Sequence, residues 1–433
     1  NYGAWRDASV PDDIPGLDNP LKLSTLEKME YKGKLVWYNI LPSDVSTAQI
    51  WPNKSVRAGQ DQVTVLNLWY RPKERAPYNT SRDLDTKLRA NPRKSWSGIQ
   101  RLIGSTATNL LDENINFIEL WVHLNKVQST VKLNIDLGLI SEDVIPNNRL
   151  DSEDGLDGGI KNGILRPGED LGIDGLSDDQ ERIQYSDFIA RYPEYASDPS
   201  GDNWARPTAG SISKEDYVGI NGSENNAQSD VGRFPDTEDL NRNNNVDRTN
   251  SYYEYEVSLD TTSTEFRQFV SGGNNGWFQV RIPLNGFKRK VGEPSFGTVE
   301  AVRLWLTGAQ DEVLIRITEF NLIGNQWEEL VKNDSTFRVG VVNVEDNPDY
   351  RSPSSLPRQR DPNQPDQIIL LNEQSLDLLV NGLKDGESRQ AVKRFPTRPL
   401  DLFSYRAMRM FVHGDERPGT RIHYTDTTNY DLE

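Results

Sequence analysis

Val131-Lys132-Leu133-Asn134-Ile135-Asp136-Leu137 alternates apolar and polar residues without a break, and Phe278-Gln279-Val280-Arg281-Ile282-Pro283-Leu284 repeats the pattern far downstream. Period two sends successive side chains to opposite faces of a strand, so each segment is built to bury one face. Pro283 has no N–H for a ladder and marks an edge or a strand end. Six more runs read the same way: 35–40, 63–70, 117–124, 252–259, 299–306 and 313–323.

Eight such runs with turn-rich connectors predict a mainly β fold, an antiparallel jelly-roll-like (galactose-binding-like) sandwich. Residues 1–108 read as a β-rich segment leading into it, and 109–330 as the sandwich itself. Residues 331–433 read as a linker and the start of a second, similar sandwich. That second copy is suggested by an echo between 116–123 and 406–413, which share their apolar pattern and a terminal Val-His. A short helix is expected near residues 374–383.

The first sandwich is interrupted between Gly138 and Tyr252 by an Asn/Asp/Gly-rich insert, residues 141–251. Residues 141–260 carry 27 acidic and 10 basic side chains, a net of −17, which is the net charge of the whole 433-residue chain. All the excess charge therefore lies in and beside one insert. Such self-repulsion opposes compaction unless something offsets it, which suggests bound cations. The same charge disfavours nucleic acid as a partner.

Two stretches of the insert have ligand-like spacing. In Asp239-Leu240-Asn241-Arg242-Asn243-Asn244-Asn245-Val246-Asp247-Arg248-Thr249-Asn250, side-chain oxygens fall at the first, third, fifth, ninth and twelfth positions: Asp239, Asn241, Asn243, Asp247 and Asn250. Asn245, at the seventh position, can give its carbonyl. Asn244 stands where such a calcium loop turns sharply, and Asn tolerates the left-handed conformation needed there. The second set is Asp151, Glu153, Asp154, Asp157, Glu169, Asp170 and Asp174, set among glycines that let the backbone aim several carboxylates at one point. Calcium, a hard ion taking six to eight oxygens, is the expected cofactor, with a structural role.

Catalysis is not expected. There is no cysteine, and the three histidines are His123, His413 and His423. No phosphate-binding glycine motif is present. Trp37, Trp69, Trp121, Trp305 and Trp327 fall in or beside strands, where core packing is expected rather than a sugar-stacking platform. A calcium-stabilised carbohydrate-binding sandwich of a secreted surface protein is the alternative reading. The chain begins at Asn1 without Met and reads as a processed or internal piece. No run is long and apolar enough for a membrane helix, a fact that does not exclude a parent β-barrel.

An ordered series of motifs adds a family. Ile140-Ser141-Glu142-Asp143-Val144, Asp151-Ser152-Glu153-Asp154-Gly155, Gly168-Glu169-Asp170-Leu171-Gly172-Ile173-Asp174-Gly175 and Asp198-Pro199-Ser200-Gly201-Asp202-Asn203 come first. Asn221-Gly222-Ser223-Glu224, Asp236-Thr237-Glu238-Asp239, Tyr252-Tyr253-Glu254-Tyr255, Arg281-Ile282-Pro283-Leu284, Gly324-Asn325-Gln326-Trp327 and Asn372-Glu373-Gln374-Ser375 follow. The series resembles the SprA (Sov) family, outer-membrane translocons of the type 9 secretion and gliding-motility system of Bacteroidota. Upstream, Arg75-Ala76-Pro77-Tyr78-Asn79 and Trp96-Ser97-Gly98-Ile99 look like family motifs with Ala76 and Ser97 where Gly is expected. The resemblance implies a non-barrel segment of a much larger β-barrel protein in the cell outer membrane, as an extracellular cap or in the pore lumen. It also implies three kinds of partner: a PorV-type outer-membrane barrel, a periplasmic plug protein, and cargo proteins with C-terminal sorting domains.

Overall fold

The computed structural model describes residues 5–414 apart from 58, 105–106, 157–160, 167, 228–233, 325–326, 332–335, 348–349, 353–357, 363–368, 394–400, 404, 408–409 and 413. Its strands are β1 (Arg6–Asp7), β2 (Gly33–Asn39), β3 (Leu66–Arg75), β4 (Trp96–Leu102), β5 (Ile115–Lys126), β6 (Lys132–Leu139), β7 (Ser251–Ser258), β8 (Val270–Gly272), β9 (Trp277–Pro283), β10 (Arg289–Val291), β11 (Ala301–Thr307), β12 (Val313–Gly324), β13 (Trp327–Glu329), β14 (Phe337–Asn343), β15 (Gln374–Val380) and β16 (Ala391–Lys393). The fold is mainly β, and every one of the eight alternating runs forms a strand.

Two six-stranded antiparallel sheets carry the domain, in the orders β1-β4-β11-β6-β7-β10 and β2-β3-β12-β5-β9-β8. Their inner faces share one core. Leu133, Ile135 and Leu137 of β6 and Leu304 and Leu306 of β11 belong to the same buried cluster as Leu120 and Val122 of β5, Val280 and Ile282 of β9, and Ile315 of β12. The late strands β11 and β12 occupy central places, β11 between β4 and β6 and β12 between β3 and β5. Strands from the first 108 residues therefore belong to the same two sheets. Neither sheet has its middle until residues 301–324 are in place.

Both outer faces are covered as well. Trp96 and Trp305 on the outside of the first sheet pack with Ala8, Val10, Ile14 and Met29 from the N-terminal segment. Trp69, Trp121 and Trp277 on the outside of the second pack with Ile50 and Trp51. This second layer buries polar residues that alternation assigns to solvent. Asn134 and Asp136 are fully buried, and Asp136 accepts a 2.7 Å bond from Nε of Arg303, itself fully buried beneath the Tyr252 ring. Lys32, also buried, anchors the N-terminal segment by donating to Asp7 Oδ2 and the Ala8 carbonyl.

One expectation is corrected. Residues 374–380 form a strand, β15, rather than a helix. It pairs antiparallel with β14, Val341 opposite Leu376 and Val339 opposite Leu378, and stops before Asn381-Gly382, where Gly382 has φ +65°. A ladder supplied by the tertiary fold overrides the helical propensity of Leu376 to Leu379. The echo at 406–413 lies partly outside the described residues, and its described residues are not in a strand. No helix among the described residues is long and apolar enough to cross a membrane.

Candidate metal centre

The insert, residues 140–250, runs from the end of β6 to the start of β7 and has little regular structure. Carboxylates replace ladders in satisfying its backbone. Glu142 accepts from the amides of Leu240, Asn241 and Asp247. Glu238 accepts from Ile145 and Asp151, and Glu153 from Gly172 and Asp236. All three carboxylates are buried. Burial, with repulsion from neighbouring carboxylates, pushes Glu142 up to about 7 and Glu153 and Glu238 up to about 8.

The 239–250 stretch forms one loop. Asp239 caps it by accepting from the amides of Asn243 and Asn244, and Asn244 has φ +64°. The side chains of Asn241 and Asn243 both donate to Asp247 Oδ2, at 2.7 and 3.1 Å. Asn241 and Asn243 thus meet Asp247 through their amide nitrogens, while their Oδ1 atoms accept from the amides of Asn243 and Asn245, and Asp239 contacts the loop's backbone. Asn245 is exposed and donates to the Asn243 carbonyl, while Asn250 points elsewhere and accepts from the amide of Ser141.

The second set divides. Asp151 accepts from the Asn147 side chain, Asp154 from the amides of Asn162 and Gly163, Glu169 from Gly155 and Arg166, and Asp170 from Asn226 and Ala227. Asp157 lies outside the described residues. Among the described residues of this set, Asp174 alone joins a metal-ligand grouping, and its companions there, Glu181 and Asp202, come from outside both spaced stretches.

This grouping is assembled from a helix and two loops. Ser177 caps the helix Asp178–Gln184 in a capping box with Gln180, which sets Asp178 and Glu181 three residues apart on one face. Asp174, Glu181 and Asp202 each bring an oxygen within 4.8 Å of the others, and Asp178, Glu181 and Asp198 do the same. Glu181 is shared. Asp174 also accepts from the Ser200 hydroxyl at 2.9 Å, and Asp202 Oδ2 accepts from the Tyr78 hydroxyl at 2.8 Å. Burial and the surrounding carboxylates push Asp202 up to about 9 and Glu181 and Glu224 up to about 7. Burial also raises Asp174 and Asp198.

The sandwich reaches into this site through the segment that follows β3. Arg75 is buried against the ring faces of Tyr185 and Phe188 and donates to the carbonyls of Asn79 and Pro199 at 2.7 and 2.6 Å. Tyr78 has φ +58°, a conformation costing about 1–2 kcal/mol for a side chain of this kind. Gly172, at φ +77°, lies so close to Asp202 Oδ2 that a Cβ would occupy the carboxylate's place.

Ser223 and Glu224 complete this wall, and they fall in the part of the chain with a recognisable family signature. The SprA_N family model, described as motility related/secretion protein, matches residues 214–432, just over half of the chain. The chain belongs to this family. No curated protein matches it. SprA membership ties the chain to motility and secretion, while Asp174, Glu181 and Asp202 lie ahead of the matched region. Ala76 and Ser97, which stand where Gly was expected, are both buried and neither has a positive φ; Ser97 lies inside β4, opposite Leu306 of β11.

Proposed function

We propose that this chain is a non-catalytic segment of the type 9 secretion translocon in the outer membrane. In this reading it shapes or caps the pore that exports folded proteins with C-terminal sorting domains, and it supports gliding motility. Family membership in the motility and secretion group carries the proposal. The strand order, with a late pair set into the middle of both sheets, supports a jelly-roll-like domain, and its place within a larger β-barrel protein is proposed from the family reading alone. The PorV-type barrel, the periplasmic plug and the cargo are its proposed partners. Calcium is the proposed structural ion of the loop around Asp239, Asn241, Asn243 and Asp247.

The absence of catalysis is supported by how the carboxylates are used: most receive backbone amides rather than facing a cleft. Four of the five tryptophans that could have formed a sugar platform, Trp37, Trp69, Trp121 and Trp305, are at most 7% exposed, which removes the support for a carbohydrate-binding module. The test is deletion of residues 141–251 from the parent protein in its native host. Loss of cargo secretion and of gliding is expected, and unimpaired secretion with normal gliding would overturn the proposal.

A further inference from the structure

The Glu181 grouping differs from the rest of the insert in one respect. Glu181 Oε1 and Asp202 Oδ1 have no hydrogen-bond partner although their residues are 0% and 1% exposed, and Glu224 Oε2 nearby has none at 4%. A buried oxygen without a donor costs about 1–3 kcal/mol, and more when charged. The other oxygens of these residues are already engaged, Glu181 Oε2 by the Ser200 amide and Asp202 Oδ2 by Tyr78.

We propose that Asp174, Glu181 and Asp202 hold a hard divalent cation, calcium, which clamps the helix Asp178–Gln184 to the 198–202 loop. The donors are all oxygen, with neither imidazole nor thiolate among them, which selects a hard ion. Asp178 and Asp198, grouped around the same Glu181, supply further oxygens, and calcium accepts the irregular geometry that magnesium does not. The cation satisfies the free oxygens and cancels the repulsion among the carboxylates. Tyr78 and Arg75, which contact the 198–202 segment from the end of β3, then tie the clamped insert to the sandwich. The site is separate from the Asp239–Asp247 loop and does not depend on the translocon reading, which is tested in cells.

The experiment uses the 433-residue chain stripped with EDTA and titrated with calcium by calorimetry, with hydrogen exchange followed alongside. Calcium should slow exchange in residues 178–202. D202N and E181Q should each lose one equivalent or weaken it by at least about tenfold, while D247N, in the other loop, should leave that protection unchanged. Protected amides in β6 and β11 report that a variant is folded. Equal calcium binding by wild type and folded D202N overturns the proposal, since water alone would then fill the site. Should D202N not fold, unchanged exchange of 178–202 in the wild type on adding calcium overturns it equally.

Discussion

Replacing Arg303 by Met should destabilise the sandwich more than any single surface change, and the effect should grow with pH. Arg303 lies at the centre of the first sheet, fully buried, with Nε on Asp136 Oδ2 at 2.7 Å and Nη1 on the Ser9 carbonyl and hydroxyl at 3.2 and 3.1 Å. Methionine fills most of the volume but leaves Asp136 buried, unpaired and beside Glu254, whose charge already opposes it. Breaking a buried pair on one side costs about 3–5 kcal/mol. At roughly 2–4 °C per kcal/mol for a large domain, the thermal midpoint should fall by about 6–20 °C. Burial raises the Asp136 pKa above the ordinary carboxylate range, and Arg303 pulls it back only in part. A raised folded-state pKa means stability that is complete at low pH and lost as pH rises through the raised value. Without Arg303 that value climbs further, so the deficit of R303M should be small at pH 5.5 and largest near pH 8. Calorimetry at both pH values measures it, and the double variant D136N/R303M should recover part of the loss. A midpoint within about 2 °C of wild type at pH 8, or a deficit that does not change with pH, would refute the reasoning.

Three further outcomes are expected. Glu119, buried opposite Arg281 and pushed up to about 7 chiefly by burial, makes the wild type lose ground as pH rises. The midpoint of E119Q should therefore gain on wild type between pH 5 and 8, by up to roughly 3 kcal/mol in stability, and parallel pH profiles would contradict this. Arg75→Met strands the carbonyls of Asn79 and Pro199, so limited proteolysis within 185–200 should accelerate while β6 and β11 amides stay protected. An unchanged cleavage pattern would show that Arg75 does not hold the insert. Gly98→Ala places a Cβ 2.5 Å from Trp305 Cβ across the β4–β11 ladder, and should cost about 1–3 kcal/mol, read from urea unfolding. No change in the urea midpoint would mean that the strands separate there without cost.

What was legible in the sequence followed from how many faces of each strand are buried. The eight alternating runs announce themselves because their inner faces share one core. Trp96-Ser97-Gly98-Ile99-Gln100-Arg101-Leu102 does not alternate, because Trp96 packs outward under the N-terminal layer and Gly98 gives room to Trp305, yet it forms β4 beside the central strand. The same covering layer hides the Asp136–Arg303 pair, whose members read as ordinary solvent-facing residues. At the candidate site, spacing brought the 239–247 loop to notice because its donors are local. Asp174, Glu181 and Asp202 meet only through the long-range packing of a helix and two loops. The one local signal was the Ser177–Gln180 capping box, which fixes the helix and with it the shared face of Asp178 and Glu181.

The insert shows why a stretch with the composition of a disordered segment can still be ordered. It buries few apolar side chains of its own, chiefly Phe188 and Tyr192 against Leu84 and Leu88. Its order rests instead on carboxylates that each collect two or three backbone amides, an arrangement that works best when the carboxylate is charged. Burial and mutual repulsion push the same groups toward protonation, raising Glu142, Glu153 and Glu238. The two demands conflict near neutral pH, and the proposed cation would resolve them by favouring the charged form without removing the amides. The sandwich is held by an apolar core shared between its two sheets. Stability of the two parts should therefore separate on chelation, the insert loosening while the sheets beneath it hold.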